Sequence, residues 1–297
     1  MKTAISVIIP IYRSDEFLEE CLNSLRNQDF TMPFKVLMID CKSDDDSSDI
    51  AKRFQDEDSR FYYFRYEINL GPGFSRNLGV GHATSEYVTF VDADDVLSKD
   101  YLSLLYKNAC ATKADIITGG YCILKNGKLK NGYSRKKFIG KGKKALLGIY
   151  KDKIVKFRTF CWGRLYRLDF LKENRVLFDT ELHMFEDWLF VSKAMFHANK
   201  VCFFKKGIYY YRQRNNSIMG HSFDRVDQHL LALKKTKEYL DSQDSAFSAK
   251  IHKKLSLPIK MQLRFDAIMD KSVTQKETIK KAKMIYKEGT KHEPKGN

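Results

Sequence analysis

The chain has 297 residues, 43% of them apolar and 30% charged, which is the composition of a folded globular protein and not of a disordered one. Its 53 Lys and Arg against 37 Asp and Glu give a net charge of +16, which at first suggests nucleic acid or an anionic membrane. The charge is partitioned, however: residues 1–124 carry 13 basic and 20 acidic side chains, residues 125–175 carry 17 and 3, and residues 221–297 carry 17 and 10, so a uniform nucleic-acid coat is excluded.

In chain order, residues 4–12 (AISVIIPIY) are an apolar, β-branched run of strand length. The run ends in Pro10 and an acidic stretch without a small-residue cleavage site, so it reads as a strand and not as a signal peptide. Phe17, Leu18, Cys21, Leu22 and Leu25 recur at helical spacing over 15–28, behind Ser14 or Asp15 as N-cap. Residues 35–40 form a second buried strand ending in Asp40. Asp44, Asp45 and Asp46 then open a helix through Phe54, with acids at its N-terminus as the dipole prefers. Residues 61–66 alternate as a strand, 74–83 read as helix, and 86–91 as a strand ending in Asp92. Strand and helix alternating at short spacing predict an α/β fold with a doubly wound, mostly parallel sheet, whose ligands sit at the carboxyl ends of the strands. Asp40 and Asp92 both fall there.

Residues 96–113 read as a helix and 115–124 as a strand. The Lys/Gly-rich stretch 125–144 reads as a mobile loop or hairpin. Helical segments are predicted around 160–171 and 186–197, and a strand pair over 201–212 around Gly207. From 225 onward the pattern is helical, with Val226, Leu230, Leu233 and Leu240 on one face, and Pro258 breaking or kinking the region. No apolar run approaches the roughly 18 residues of a membrane helix. Six scattered cysteines without C-x-x-C spacing point to reduced thiols, hence to the cytosol, and against a zinc site or a disulfide framework.

The strongest chemical signal is Asp92-Ala93-Asp94-Asp95, directly after a strand. Adjacent carboxylates repel, and burying them unpaired is costly. They are comfortable in water or around a hard cation such as Mg²⁺ or Mn²⁺, which commonly bridges carboxylates to substrate phosphates. Alone, the pattern equally describes a solvated acidic turn capping a helix at 96. Upstream, Asn69-Leu70-Gly71-Pro72-Gly73-Phe74-Ser75-Arg76-Asn77 supplies glycines for close backbone approach, followed by a helix start with a guanidinium, a combination that favours phosphate. It is neither a P-loop nor a dinucleotide fingerprint.

Taken together, Ser6 to Tyr12, Asp40 with Ser43 and Asp45, Asn69 to Asn77, and Phe90 to Asp95 resemble the family-2 inverting glycosyltransferases of the GT-A fold. The order of Cys161-Trp162-Gly163-Arg164, Glu186-Asp187, Tyr209 to Arg212 and Asn216-Ser217 is similar to that in bacterial wall-polymer and capsule glycosyltransferases. The resemblance implies a GT-A-like sheet with helices on both faces and a helical C-terminal region. Residues 1–124 would be the donor half, 125–220 the acceptor and catalytic-base half, and 221–297 a basic helical region. It implies transfer of one sugar from a nucleotide-sugar donor, most often a uridine diphosphate sugar, to a hydroxyl of a bacterial surface glycan.

By the same resemblance, Pro10 and Tyr12 line the nucleoside pocket, with Tyr12 stacking on the base, and Asp40 lies in the base-reading segment. Asn69, Gly71 and Ala93 join the donor site, Arg76 approaches the diphosphate and Asp92 reaches the ribose. Asp94 is the metal ligand for Mn²⁺ or Mg²⁺, and Asp187 is the general base with Glu186 beside it. Arg212 and Arg214 are candidates to clamp the diphosphate, with Ser217 nearby, or else form a basic surface loop. Asp95 would be a helix cap or a support behind the metal. Helical neighbours i and i+1 point apart, so Asp187 alone is expected to face the acceptor.

One departure stands out: where the family often has a second Asp after Asp40, this chain has Cys41, and a thiol cannot replace a carboxylate that accepts an N–H. Base reading would then fall to Asp40, Asp44 or backbone. The absence of a Q-x-x-R-W stretch implies single addition rather than processive synthesis. Trp162, Trp188 and His183 flank the acidic pair as candidate sugar contacts or as packing. The expected acceptor is a glycan or lipid-linked glycan, recruited if anionic by Lys136, Lys137, Lys143 and Lys144. The C-terminal helices suit an acceptor platform, a peripheral contact with the inner face of the membrane, or an oligomer interface. Nucleic acid is not expected as a partner. The rival reading is a basic nucleic-acid- or membrane-binding protein on a nucleotide-binding α/β fold without transferase activity. A sugar-1-phosphate nucleotidyltransferase is disfavoured because Pro10-Ile11-Tyr12-Arg13 is not a Gly-rich loop.

Overall fold

The computed structural model describes residues 3–130, 137–151, 159–213, 225–252, 260, 263–264 and 274–288. Its first half follows the predicted alternation: β1 (Ile5–Ile11), α1 (Asp15–Arg26), β2 (Phe34–Cys41), α2 (Ser47–Glu57), β3 (Phe61–Tyr66), α3 (Pro72–His82) and β4 (Tyr87–Phe90). β1 pairs in parallel with β2 and β4, and β2 with β3. Strand periodicity sorts the side chains between two cores. Val7 and Ile9 pack with α1, α2 and α4 (Tyr101–Thr112) on one face, while Ile8, Leu37 and Ile39 pack under α3 and α7 (Glu186–His197) on the other. α3 approaches β1 closely at Gly79, where an added Cβ would lie 2.3 Å from Ile8 Cγ2.

The second half continues the sheet with mixed polarity. It adds β5 (Val96–Leu97), β6 (Ile116–Lys125), β7 (Lys128–Lys130), β8 (Phe138–Gly140), β9 (Arg164–Arg167) and β10 (Val201–Arg212). The order is β3-β2-β1-β4-β9-β6-β10-β5, with β7 on β6 and β8 on β10. Parallel pairing holds for β6 with β10, whereas β9 runs antiparallel to both β4 and β6.

Four local expectations are corrected. The helix expected from 96 starts at Tyr101, because Val96 and Leu97 pair with β10 first. The helix expected over 160–171 is β9 followed by the short α6 (Leu168–Glu173); Arg164, Leu165 and Tyr166 are buried because two strands flank them. The strand pair expected over 201–212 is one strand whose register shifts between Phe203 and Ile208, and Gly207 takes φ +72° there, a conformation glycine adopts freely. The Lys/Gly-rich stretch is a β6–β7 hairpin turning at Asn126-Gly127, both with positive φ as a primed turn requires, and is followed by β8 and α5 (Gly142–Lys151).

The described C-terminal helices are α8 (Arg225–Gln243), α9 (Ser245–His252) and α10 (Gln275–Glu288). α8 packs on α7, and its Val226, Leu230, Leu233 and Leu240 are buried, as the periodicity predicts. Pro258 lies outside the described residues. No described helix is long and apolar enough to cross a membrane.

Candidate active site

A cleft of about 660 Å³ opens at the carboxyl ends of β1 and β4. Pro10, Ile11 and Tyr12 form one wall because β1 ends there, and Tyr12 is 41% exposed with the Arg13 guanidinium 5.3 Å from its ring centre. Asn69 Oδ1 accepts the Gly71 N–H at 2.9 Å, and Gly71, at φ +89°, turns the chain into α3. The start of α3 brings Ser75 and Arg76 to the cleft floor. Gly73 lets it come close to α7, since an added Cβ would lie 3.4 Å from Glu186 Cγ.

Asp92, Ala93 and Asp94 line the cleft beyond β4, and Asp95 turns the other way into the protein. There Asp95 accepts the Tyr209 hydroxyl at 2.6 Å and the Arg212 N–H at 2.7 Å; burial, with Asp94 and Asp92 nearby, pushes its carboxyl well above the usual range. It is thus a latch to β10 and not a helix cap. Arg212, expected on the diphosphate, lines the cleft but spends its guanidinium on the Asp94 carbonyl at 2.7 Å and on Glu20 at 2.5 Å, stacked over Phe17.

Arg76 is the hub. It is 4% exposed, and its Nη2 donates to Asp92 Oδ1 at 2.7 Å while Nη1 donates to Glu186 Oε1 at 2.8 Å and lies 3.5 Å from Asp187 Oδ1. The guanidinium expected on the diphosphate is therefore held by three carboxylates, which could not stay charged in so dry a place without it. Asp187 Oδ2 accepts the Cys161 N–H at 3.1 Å, and its Oδ1 has no hydrogen-bond partner. Burial, then the neighbouring Asp187 charge, pushes Glu186 up to about 7 against the pull of Arg76. Burial also raises Asp187, again opposed by Arg76. The expectation that Glu186 points away from the cleft is corrected: both acids line it, because one guanidinium lies across the first turn of α7 behind the left-handed Phe185.

Asp40 does not reach the cleft. It is fully buried and accepts from Ser43 N, Ser48 Oγ, Tyr63 OH and Arg65 Nη1. Burial pushes its carboxyl up, but the hydrogen bonds from Tyr63, Ser48 and Ser43 outweigh this and hold it below its usual value. Asp44 is tied to Arg13 on the surface at 2.6 Å, and Cys41 is buried, accepting the Ser75 hydroxyl at 3.0 Å. None of the three lines the cleft.

Trp162 and Trp188 line the cleft but are buried in packing: Trp162 stacks on Tyr209 at 4.4 Å, Phe160 at 4.7 Å and Tyr211 at 5.3 Å, and Trp188 Nε1 donates to Tyr150 OH at 2.7 Å. His183 stands exposed at the rim. Tyr211, from the Tyr209 to Arg212 run, lines the cleft as well, and Thr159, Phe160 and Met184 line it without a sequence signal of their own; the Cys161-Trp162-Gly163 run supplies the Cys161 N–H on Asp187. Ser217 and Arg214 lie outside the described residues. Among the described residues no group of three His, Cys, Asp or Glu forms a ready metal cage. Asp94, half-buried in the cleft wall, would be the carboxylate to hold a Mg²⁺ or Mn²⁺ ion, a hard cation suited to carboxylate oxygen.

The profile of the family described as Glycosyl transferase family 2 matches residues 6–174. EpsH of Bacillus subtilis is 29% identical over 78% of this chain and 67% of that protein. The poly(ribitol-phosphate) beta-glucosyltransferase of Bacillus spizizenii is 33% identical over 70% of this chain but only 32% of that protein, so the chain spans about a third of that relative's length. Among solved structures, Staphylococcus aureus TarS 1-349 in complex with UDP-GlcNAc superposes with a TM-score of 0.78 at 25% identity, covering 97% of this chain and 81% of that one.

Proposed function

The chain belongs to glycosyl transferase family 2, and from that membership we propose that it moves one sugar, with inversion, from a nucleotide-sugar donor to a hydroxyl of a surface glycan or lipid-linked glycan. The observation that carries this reading is the meeting in one cleft of the Asp92–Asp94 wall and the Glu186–Asp187 helix start, joined by Arg76. A uridine diphosphate sugar is the proposed donor, supported by the UDP-GlcNAc named for the TarS structure.

In this reading Tyr12 stacks on the base, with Pro10, Asn69 and Gly71 beside it and Asp92 and Ala93 on the ribose side. Asp94 would hold Mn²⁺ or Mg²⁺, and the cation would supply charge neutralisation for the leaving diphosphate. Asp187, which lines the cleft, takes the acceptor hydroxyl proton as the new glycosidic bond forms and the bond to diphosphate breaks. The Cys161 N–H holds Oδ2, and Arg76 opposes the upward push of burial on this carboxyl. Glu186 holds Arg76 in place. The Phe160–Trp162–Tyr211 stack gives the sugar an apolar wall that keeps water from the anomeric carbon. Residues 1–124 are then the donor half, 125–220 the acceptor and base half, and α8 braces α7 from behind.

A thermal-shift screen of nucleotide sugars with Mn²⁺ tests the donor. Asp187→Asn tests the base: donor binding should persist while transfer falls by roughly 10²–10⁴. Transfer at the wild-type rate would remove the base assignment.

A further inference from the structure

The cleft has a cationic extension along one face of the sheet. Tyr211, in the cleft wall, is in register with Ile123 of β6, Ile123 with Lys130 of β7, and Lys125 with Lys128. Residues opposite each other on neighbouring strands share a face, as do alternate residues along a strand. Lys125, Lys128 and Lys130 therefore stand on the same face as Tyr211, beyond the aromatic stack. Lys128 and Lys130 are exposed, and none of the three pairs with another described residue. Residues 116–151 contain ten Lys or Arg and no Asp or Glu, so this segment itself supplies no anion to the hairpin. Lys143, by contrast, is paired with Asp244 at 2.7 Å and lies over Phe196; Lys136 lies outside the described residues.

We propose that the β6–β7 hairpin is the docking ledge for the acceptor, and that the acceptor is a phosphate-bearing glycan running from the cleft over Tyr211 onto Lys130, Lys128 and Lys125. This rests on the glycosyl-transfer reading and names its acceptor class. Lysines two residues apart on a strand are about 7 Å apart, a spacing suited to a chain of regularly repeated anions. A lipid surface would call for an exposed apolar side chain on the same face as the cations, but Ile123 on that face is half-buried and alternation puts the exposed Leu129 on the opposite face.

The test uses the full chain and labelled poly(glycerol phosphate), with neutral dextran, phosphatidylglycerol vesicles and a single-stranded oligonucleotide of equal charge as comparisons. K125Q/K128Q/K130Q is set against the charge-matched K52Q/K99Q/K107Q, whose lysines are exposed elsewhere. The hairpin variant should bind the polymer about tenfold more weakly in low salt, and the control less than about twofold. UDP-GlcNAc binding should be the same in all three proteins. Equal losses in the two triple variants, equal binding of dextran, or vesicles or oligonucleotide bound as tightly as the polymer through the same lysines would each overturn the proposal. Failure of the unmodified chain to bind any nucleotide sugar would instead overturn the transferase reading and leave the polymer result to stand by itself.

Discussion

Replacing Glu186 with Gln removes a buried charge while keeping an oxygen to accept the Arg76 hydrogen bond. Burial, with Asp187 beside it, raises this carboxyl from 4.5 to about 7. Between those values the folded chain holds a proton that the unfolded chain has released. Stability therefore falls as pH rises through that window, in full measure only below about 4.5 and lost above about 7. At 1.36 kcal/mol per unit this is on the order of 3 kcal/mol. The Gln side chain does not titrate, so the stability of Glu186→Gln relative to wild type should rise by about 3 kcal/mol between pH 4.5 and pH 8. Urea unfolding followed by the fluorescence of the buried Trp162 and Trp188 measures it, and other titrating groups such as Asp95 cancel in the comparison. Because Glu186 and Asp187 share one guanidinium, the same pair should show in catalysis as a rate that rises with pH with an apparent value belonging to both acids. A stability difference that stays flat within about 1 kcal/mol across the range would refute the burial reasoning.

Arg76→Met leaves Asp92, Glu186 and Asp187 facing one another without a cation, and should cost about 3–5 kcal/mol by chemical denaturation. Asp94→Asn should weaken nucleotide-sugar binding roughly ten- to hundredfold in Mn²⁺ and make the remainder insensitive to chelator, measured by titration calorimetry. Gly79→Ala would press a methyl against Ile8 and should lower stability by about 1–3 kcal/mol, read as a reduced melting temperature.

The parallel strands and the helix at 186–197 were legible because their signals are local: β-branched runs with an acid at the carboxyl end, and apolar residues at helical spacing. Asp40 and Asp92 look alike at that level, each an acid just past a buried strand. Tyr63 and Arg65, from a strand 23–25 residues away, make Asp40 a structural anchor, whereas Asp92 stays on the cleft. The role of Arg76 was hidden for the same reason, since its Glu186 partner is 110 residues distant. β9 was misread because Arg164-Leu165-Tyr166-Arg167 has no strong strand periodicity; it is extended because β4 and β6 supply backbone partners on both sides.

The partition of charge along the chain has a physical counterpart around the cleft. Of the arginines that line the cleft, two serve different carboxylate loops: Arg76 ties Asp92 to the start of α7, and Arg212 ties the Asp94 backbone to α1 through Glu20. Each arginine fastens elements far apart in sequence, so the Asp92–Asp94 wall and the start of α7 are held at a fixed separation. Losing one of these contacts would shift the geometry between donor and base as well as the local charge. The lysines of the hairpin are arranged differently. They lie on one face of the β6–β7 hairpin, within a segment from 116 to 151 that holds no acid, and in the proposed docking their charge is offered to a partner. Cations that cross-link the cleft and cations left open beside it are thus two separate uses of the same net charge, and the hairpin variant can lose the second without disturbing the first.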